Sequence, residues 1–336
     1  MKDELRAFYG QVNYARYRGQ SQGHYESFFQ RANHPERPLA FWIRYTLFSP
    51  KAHPDNAIGE LWAIFFSGET NRHIAVKKEL PLSECLWGAS EFHVRIGDAQ
   101  LTPRHLHGAI QAEKNAISWD LSFEGESTPL LLLPFRLYKT KFPAAKSLVG
   151  LPMARYSGRL HVNGEIVDVV RWLGSQNHNW GTRHTDLYAW GQVAGFDTHP
   201  ASFLELTTAR LRIGPFWTPG ITPLVLRYNG KEHALNGLLQ AIRARGAFDY
   251  FTWSFKSETR RADVEGTISA PRQAFVGLSY CNRPGGTKHC LNTKIASCTV
   301  RFRDKERRTT QMLGAKSRAA FEILTDDRSH GIPIAV

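Results

Sequence analysis

The sequence predicts an all-β protein with a few short helices, and three observations lead there. Glycine and proline, 27 and 17 residues, punctuate the chain at short intervals, a spacing that suits many short strands better than long helices. Ile117, Trp119, Leu121 and Phe123 alternate with Ser118, Asp120, Ser122 and Glu124, and Phe41, Ile43, Tyr45 and Leu47 alternate with Trp42, Arg44 and Thr46. A period of two marks a strand with distinct faces. Finally, residues 39–48 (LAFWIRYTLF) echo residues 187–196 (LYAWGQVAGF), with Trp42 and Trp190 at the same place. The echo predicts two copies of one β unit, joined near 143–165, hence an N-terminal domain over 1–155 and a C-terminal domain over 156–336.

Taken in order, the first dozen residues and Tyr25–Ala32 suit short helices, with Glu36-Arg37-Pro38 leading into the strand at Phe41. Alternation then predicts strands through 60–66, 158–162, 187–196, 203–211, 250–255 and 273–280. Asn177-His178-Asn179-Trp180-Gly181 is dense in amides and ends on glycine, which predicts a polar turn. Tyr188, Trp190 and Gln192 then project from one side of the following strand.

Composition bounds the function. A chain of 336 residues with 42% apolar and 22% charged residues can bury a core and is not intrinsically disordered. No apolar run approaches the ~20 residues that a helical bilayer span needs, the longest being 129–134. Residues 1–14 do not read as a secretory leader, so the expected location is cytoplasmic. The net charge is +13, and residues 301–318 hold seven basic residues against Asp304 and Glu306. This run reads as a solvated loop or tail, or as a patch that touches anionic lipid headgroups.

If each half is a curved sheet, alternation sends one set of side chains inward and the other outward. The mixed face of Trp42, Arg44 and Thr46 then lines a ligand cavity, or lies on the sheet surface with Trp42 under a loop. Residues 174–192 gather His178, His184, Trp180, Trp190 and Arg183 around a strand start.

Here the chain resembles the lipocalin-like superfamily of carotenoid 1,2-hydratases, AttH proteins and tocopherol cyclases. Asn177-His178-Asn179-Trp180-Gly181 is similar to that family's Asp-His-(Gln/Glu/Asn)-Trp-Gly motif, and 156–164 to the hairpin before it. Residues 280–286 and 289–296 resemble the tocopherol cyclase branch. The resemblance implies two lipocalin-like barrels or curved sheets, a hydrophobic substrate cavity near their interface, and non-redox hydration or ring closure. Asn177 stands where the family has Asp, and an amide cannot donate a proton as a carboxylic acid does.

Another acid is then required, and burial can raise a carboxyl's pKa toward working pH. Glu60 and Glu205 sit inside apolar strands and are the candidate catalytic acids, unless each faces solvent or pairs with a base such as Arg44. His178 is either a third acid–base candidate or a fastener of the predicted turn. Trp42, Arg44, Asn177, Trp180, Tyr188, Trp190 and Gln192 are the candidate substrate-binding residues, the aromatic ones by packing or stacking. Cys281, His289, Cys290 and Cys298 lack the C-x2-C knuckle of structural zinc sites, so no metal is expected. Neither G-x-G-x-x-G nor a P-loop stands between a strand and a helix, and no cofactor is expected.

The leading expectation is therefore a cofactor-independent cyclase, hydratase or isomerase of an isoprenoid, polyene or polyketide. The alternative is a carrier or sensor of the same hydrophobic ligand, and a basic nucleic-acid-binding protein is a distant third.

Overall fold

The structure, a computed structural model, describes residues 2–281 and 286–336. The Cys281 side chain and residues 282–285, part of the run that resembles tocopherol cyclase, lie outside the described residues. Helix α1 (Lys2–Tyr9) precedes the first sheet, α2 (Phe135–Tyr138) lies beside it, and α3 (Leu238–Arg243) accompanies the second. Among the described residues no helix is long and apolar enough to cross a membrane.

The first sheet opens with β1 (His24–Asn33), β2 (Leu39–Ser49), β3 (Ile58–Ser67) and β4 (Ile74–Pro81). It continues through the short strands β5 (Cys85–Trp87), β6 (Val94–Ile96) and β7 (Ala99–Leu101), then β8 (His105–Gln111), β9 (Ala116–Glu124) and β10 (Leu130–Leu131). A long hairpin, β11 (Ala145–Val162) and β12 (Glu165–Gly181), closes it. The spatial order is β4-β3-β2-β1-β12-β11-β9-β8-β7-β6-β5, with β10 beside β11. The sheet curls until β4 meets β8 and β9, a nearly closed barrel.

The second sheet comprises β13 (Leu187–Ala194), β14 (Phe203–Arg210), β17 (Leu224–Tyr228), β18 (Lys231–Leu235), β19 (Arg245–Asp249), β20 (Thr252–Glu258), β21 (Ala262–Ser269), β22 (Val276–Cys281), β23 (Thr287–Asp304) and β24 (Thr309–Thr325). Between β14 and β17, β15 (Arg212–Ile213) and β16 (Phe216–Trp217) form a separate ribbon. The order is β18-β17-β14-β13-β24-β23-β21-β20-β19, with β22 beside β23.

The two sheets share a plan. In each, the first strand pairs with the last, β1 with β12 and β13 with β24, and the last belongs to a long hairpin. The counterpart of β13 is therefore β1 and not β2, so the echo between 39–48 and 187–196 is displaced by one strand. The two segments look alike because both present aromatic and polar side chains to the same interface. The break between the sheets falls at 182–186. Strand pairing thus places 156–181, grouped by the echo with the C-terminal unit, in the N-terminal sheet.

Three local expectations change. Tyr25–Ala32 is strand and not helix: every residue of β1 is buried, which hides the alternation that a half-exposed strand displays. Residues 177–181 are extended, the end of β12 rather than a turn. Gly181 serves there by close approach, since a Cβ on it would lie 2.4 Å from the Ala144 carbonyl oxygen. The basic run 301–318 is not a tail but the turn end of the β23–β24 hairpin, with Arg301 paired to Glu265 at 2.8 Å and Arg318 to Asp197.

Alternation on β1, β2 and β3 divides two cores. Phe28, Phe41, Ile43, Tyr45, Trp119 and Trp172 fill the lumen of the first barrel. Phe29, Trp42, Trp62 and Ile64 point outward and merge with Trp190, Tyr280 and Ile295 of the second sheet in one continuous cluster. The mixed face of β2 thus lies between the sheets, and its apolar face fills the lumen.

Candidate functional site

Where the outer faces meet, they leave a cavity of about 420 Å³, within the range of small-molecule sites. β2 places Trp42 and Arg44 in its wall, β13 places Tyr188 and Trp190, β22 places Tyr280 and β24 places Glu322. Leu132, Leu137, Leu211, Ile221, Leu238 and Ala241 make the remainder largely apolar.

The polar end is built from stacked rings and cations. Tyr25 stacks on His184 at 4.2 Å and His184 on Tyr280 at 5.5 Å between centroids. The Arg44 guanidinium lies 4.7 Å from the Tyr280 ring centre and 5.8 Å from that of Trp42, within cation–π range. The Lys294 ammonium sits 5.5 Å from Trp42 and 5.4 Å from Trp190. Three buried donors, Trp42 Nε1, Arg44 Nε and the Tyr280 hydroxyl, have no hydrogen-bond partner among the described residues. Nearly all buried polar groups in folded proteins are satisfied, so three such donors at one end of one cavity mark a place for an acceptor.

Burial sets the protonation of this end. It pushes the Tyr188 and Tyr280 hydroxyls well above their ordinary range, so both keep their protons. Burial, with Arg44 and Lys288 nearby, pushes His184 down to about 3, leaving the ring neutral. The same desolvation lowers Lys294, against the pull of Glu322. Glu322 Oε1 accepts from Lys294 Nζ at 2.7 Å and from Asn292 at 3.1 Å. Its Oε2 meets only the weak Cys290 thiol donor, at 3.9 Å. One carboxylate oxygen is anchored, and the other has no closer donor among the described residues.

Behind this wall lies a buried network in which the Gln192 amide is fully used. Gln192 Oε1 accepts from Arg31 Nε at 2.7 Å and from the Ser175 hydroxyl at 2.6 Å, and its Nε2 donates to Asn177 Oδ1 and Glu205 Oε2, both at 2.8 Å. Glu205 also accepts from Trp190 Nε1 at 2.8 Å. Burial outweighs these bonds and raises the Glu205 carboxyl to about 7. Asn177 suits this place as an amide, because it both accepts from Gln192 and donates to Ser175 at 2.9 Å.

Of the candidates read from the sequence, Trp42, Arg44, Tyr188 and Trp190 meet on the cavity wall. Asn177, Gln192 and Glu205 stand one layer behind it. Three others lie elsewhere. Glu60 pairs with Lys77 at 2.7 Å. Trp180 packs on Tyr138 and beneath the Arg16 guanidinium. His178 is wholly buried, with Phe28 stacked on it at 4.0 Å, Val12 O 2.6 Å from Nδ1 and Glu26 Oε1 2.8 Å from Nε2. It fastens the N-terminal arm to the barrel. Burial opposes the charge on Glu26, yet hydrogen bonds from His178 and His24 hold its carboxyl down to about 2.

Sequence reasoning missed Tyr280, Glu322, Lys294 and His184 as site residues. Glu322 carries the signal that singled out Glu60 and Glu205, an acid inside an apolar strand. Among the described residues no group of three or more His, Cys, Asp or Glu side chains is arranged to hold a metal. His289 turns to His330 at 2.8 Å while the neighbouring Cys290 is buried toward Glu322.

No protein-family model and no curated protein matches the sequence. Solved structures do match in fold. An AttH-like protein from Nitrosomonas europaea superposes with a TM-score of 0.56 at 12% identity, covering 90% of this chain and 92% of that one. Kievitone hydratase from Nectria haematococca superposes with a TM-score of 0.54 at 10% identity, covering 92% and 93%. Both are lipocalin-like barrel proteins. The chain thus shares its fold with these lipocalin-like barrel proteins.

Proposed function

We propose that this chain is a cofactor-independent hydratase, cyclase or isomerase whose substrate is a hydrophobic small molecule bearing a carbonyl-type oxygen. The observation that carries this reading is that Trp42, Arg44 and Tyr280, whose Nε1, Nε and hydroxyl have no hydrogen-bond partner among the described residues, line the same cavity as Glu322. Donors preorganised where an oxyanion develops, in a site walled off from bulk water, supply the largest single contribution in many enzymes. A carboxylate within reach supplies the proton transfer. The apolar wall suits an isoprenoid, polyene or polyketide chain, and the kievitone hydratase of like fold supports the hydratase class.

For a conjugated enone the steps balance without a cofactor. Water adds to the β-carbon and gives its proton to Glu322. The electron pair of the C=C bond moves toward the carbonyl oxygen, held by Arg44 and Tyr280. Glu322 then returns the proton to the α-carbon. Ring closure follows the same course when a hydroxyl of the substrate replaces water. Glu205 acts as a positioning residue through Trp190 and Gln192.

The test is to identify any small molecule extracted from the denatured protein, then to assay it and related carbonyl compounds with wild type and Glu322→Gln. The expected result is turnover by wild type, with binding but no turnover by the variant. Binding with no turnover by either protein would leave a carrier.

A further inference from the structure

The mouth of the cavity is ringed by apolar side chains that the fold does not cover. Phe142, Ile213 and Leu238 are exposed and also line the cavity, so they stand on its rim. Around them Phe216 is 75% exposed, Leu239 68% and Ile213 67%. They come from three separate places: the segment after α2, the β15–β16 ribbon and α3. Scattered apolar residues on a surface need no explanation, but a contiguous set at the mouth of an apolar cavity does.

The charge on the same segments has one sign. Residues 136–147, 210–217 and 238–245 contain Lys and Arg but no Asp or Glu. Arg210 lies 5.5 Å over the Trp217 ring, and Arg183 and Arg212 line the mouth. Of the neighbouring acids, Asp186 is held by Arg183 at 3.8 Å and by the Arg212 backbone N–H at 3.0 Å, and Glu4 is paired with Lys139. A second copy of this chain does not fit, since a two-fold contact would set basic against basic. Nucleic acid is served by flat stacking platforms, whereas here Phe142 and Phe216 stand among the aliphatic Leu238, Leu239, Ile242 and Ile213.

The geometry points to this rim as a docking surface for an anionic lipid bilayer, with the cavity opening onto the membrane. Apolar side chains flanked by Arg and Lys bind interfaces by combining burial with attraction to anionic headgroups. An apolar ligand then passes between bilayer and cavity without crossing water. The surface is distinct from the basic hairpin 301–318, where Glu265, Asp263 and Asp197 meet Arg301, Lys305 and Arg318.

Co-sedimentation of the full chain with vesicles tests this without any substrate, so its outcome is independent of the proposed chemistry. The probes are vesicles of phosphatidylcholine alone and vesicles of equal parts phosphatidylcholine and phosphatidylglycerol. The chain is expected to bind the anionic vesicles and to be released as salt rises. Phe216→Asp with Leu239→Asp should weaken this by at least about tenfold, and Arg210→Ala or Arg243→Ala by about fivefold each. The unfolding temperatures of these surface variants should stay at the wild-type value, which checks their folding. Absent or charge-independent partition, binding unaffected by the variants, a dimer that the Asp variants dissolve, or nucleic acid that displaces the vesicles would each overturn the assignment.

Discussion

The lumen of the first barrel and the cavity between the sheets are both buried, aromatic and threaded with polar groups, yet they are finished differently. In the lumen Tyr45 donates to Gln100 O at 2.9 Å and accepts from Trp119 Nε1 at 3.2 Å, Glu26 takes His24, His178 and two backbone N–H groups, and the Gln30 and Gln176 amides, each with one atom unpartnered among the described residues, use the other on Tyr156 and Asn177. Between the sheets Trp42, Arg44 and Tyr280 keep donors without partners among the described residues. Leaving a buried donor unmade costs about 1–3 kcal/mol, and the wall of this one cavity carries three. On the proposed reading the lumen holds the barrel together, and the cavity is where a ligand completes the hydrogen bonding.

The widest separation of the two regions should come from Glu322→Gln. Loss of the base lowers kcat by about 10²–10⁴-fold, while the remaining amide oxygen still accepts from Lys294, so ligand affinity measured by tryptophan fluorescence is retained. Trp172→Ala in the lumen should do the reverse. It costs about 3–5 kcal/mol of stability in denaturant titrations and leaves the kcat of the folded fraction unchanged.

The pH dependence of stability should have opposite signs in the two regions. Glu26, held at about 2 against an ordinary 4.5, contributes stability that is present above 4.5 and lost as pH falls toward 2. Glu205, raised to about 7 from the same ordinary value, is more easily protonated folded than unfolded, so stability falls as pH rises from 4.5 to 7. Each shift corresponds to about 3 kcal/mol. Glu26→Gln should flatten the acid limb of a melting-temperature profile, and Glu205→Gln the limb between 4.5 and 7.

Arg44→Met gives the smallest effect and the most diagnostic one. It should weaken binding of a carbonyl-bearing ligand by about 1.5–3 kcal/mol, the worth of a hydrogen bond to a charged group. The melting temperature should hold or rise, because a desolvated cation has been replaced by an apolar chain.

Much of the fold was legible because exposed faces keep a strict period of two. β9, with Trp119 in and Asp120 out, is readable by eye. β1 was not, since it is buried on both faces, and the two-unit plan was seen one strand out of register. In the site, the mixed face of Trp42 and Arg44 and the side shared by Tyr188 and Trp190 could be read locally. Lys294 and Tyr280 could not, because the cavity exists only where two sheets meet, and Glu322, although an acid inside an apolar strand like Glu60 and Glu205, was passed over. His178 misled for a related reason: its polar surroundings answer to Val12 and Glu26, far away in sequence, and not to a ligand.

The central claim is that the three unpartnered donors receive an oxygen of the ligand. It is tested most directly by measuring affinities for a matched pair of hydrophobic ligands, one with a carbonyl and one with a methylene in its place, in wild type and in Arg44→Met with Tyr280→Phe. The account predicts that wild type prefers the carbonyl ligand, and that the double variant loses this preference while binding the methylene analogue as wild type does. Equal affinities for the two ligands in wild type, or a preference that survives both substitutions, would contradict it.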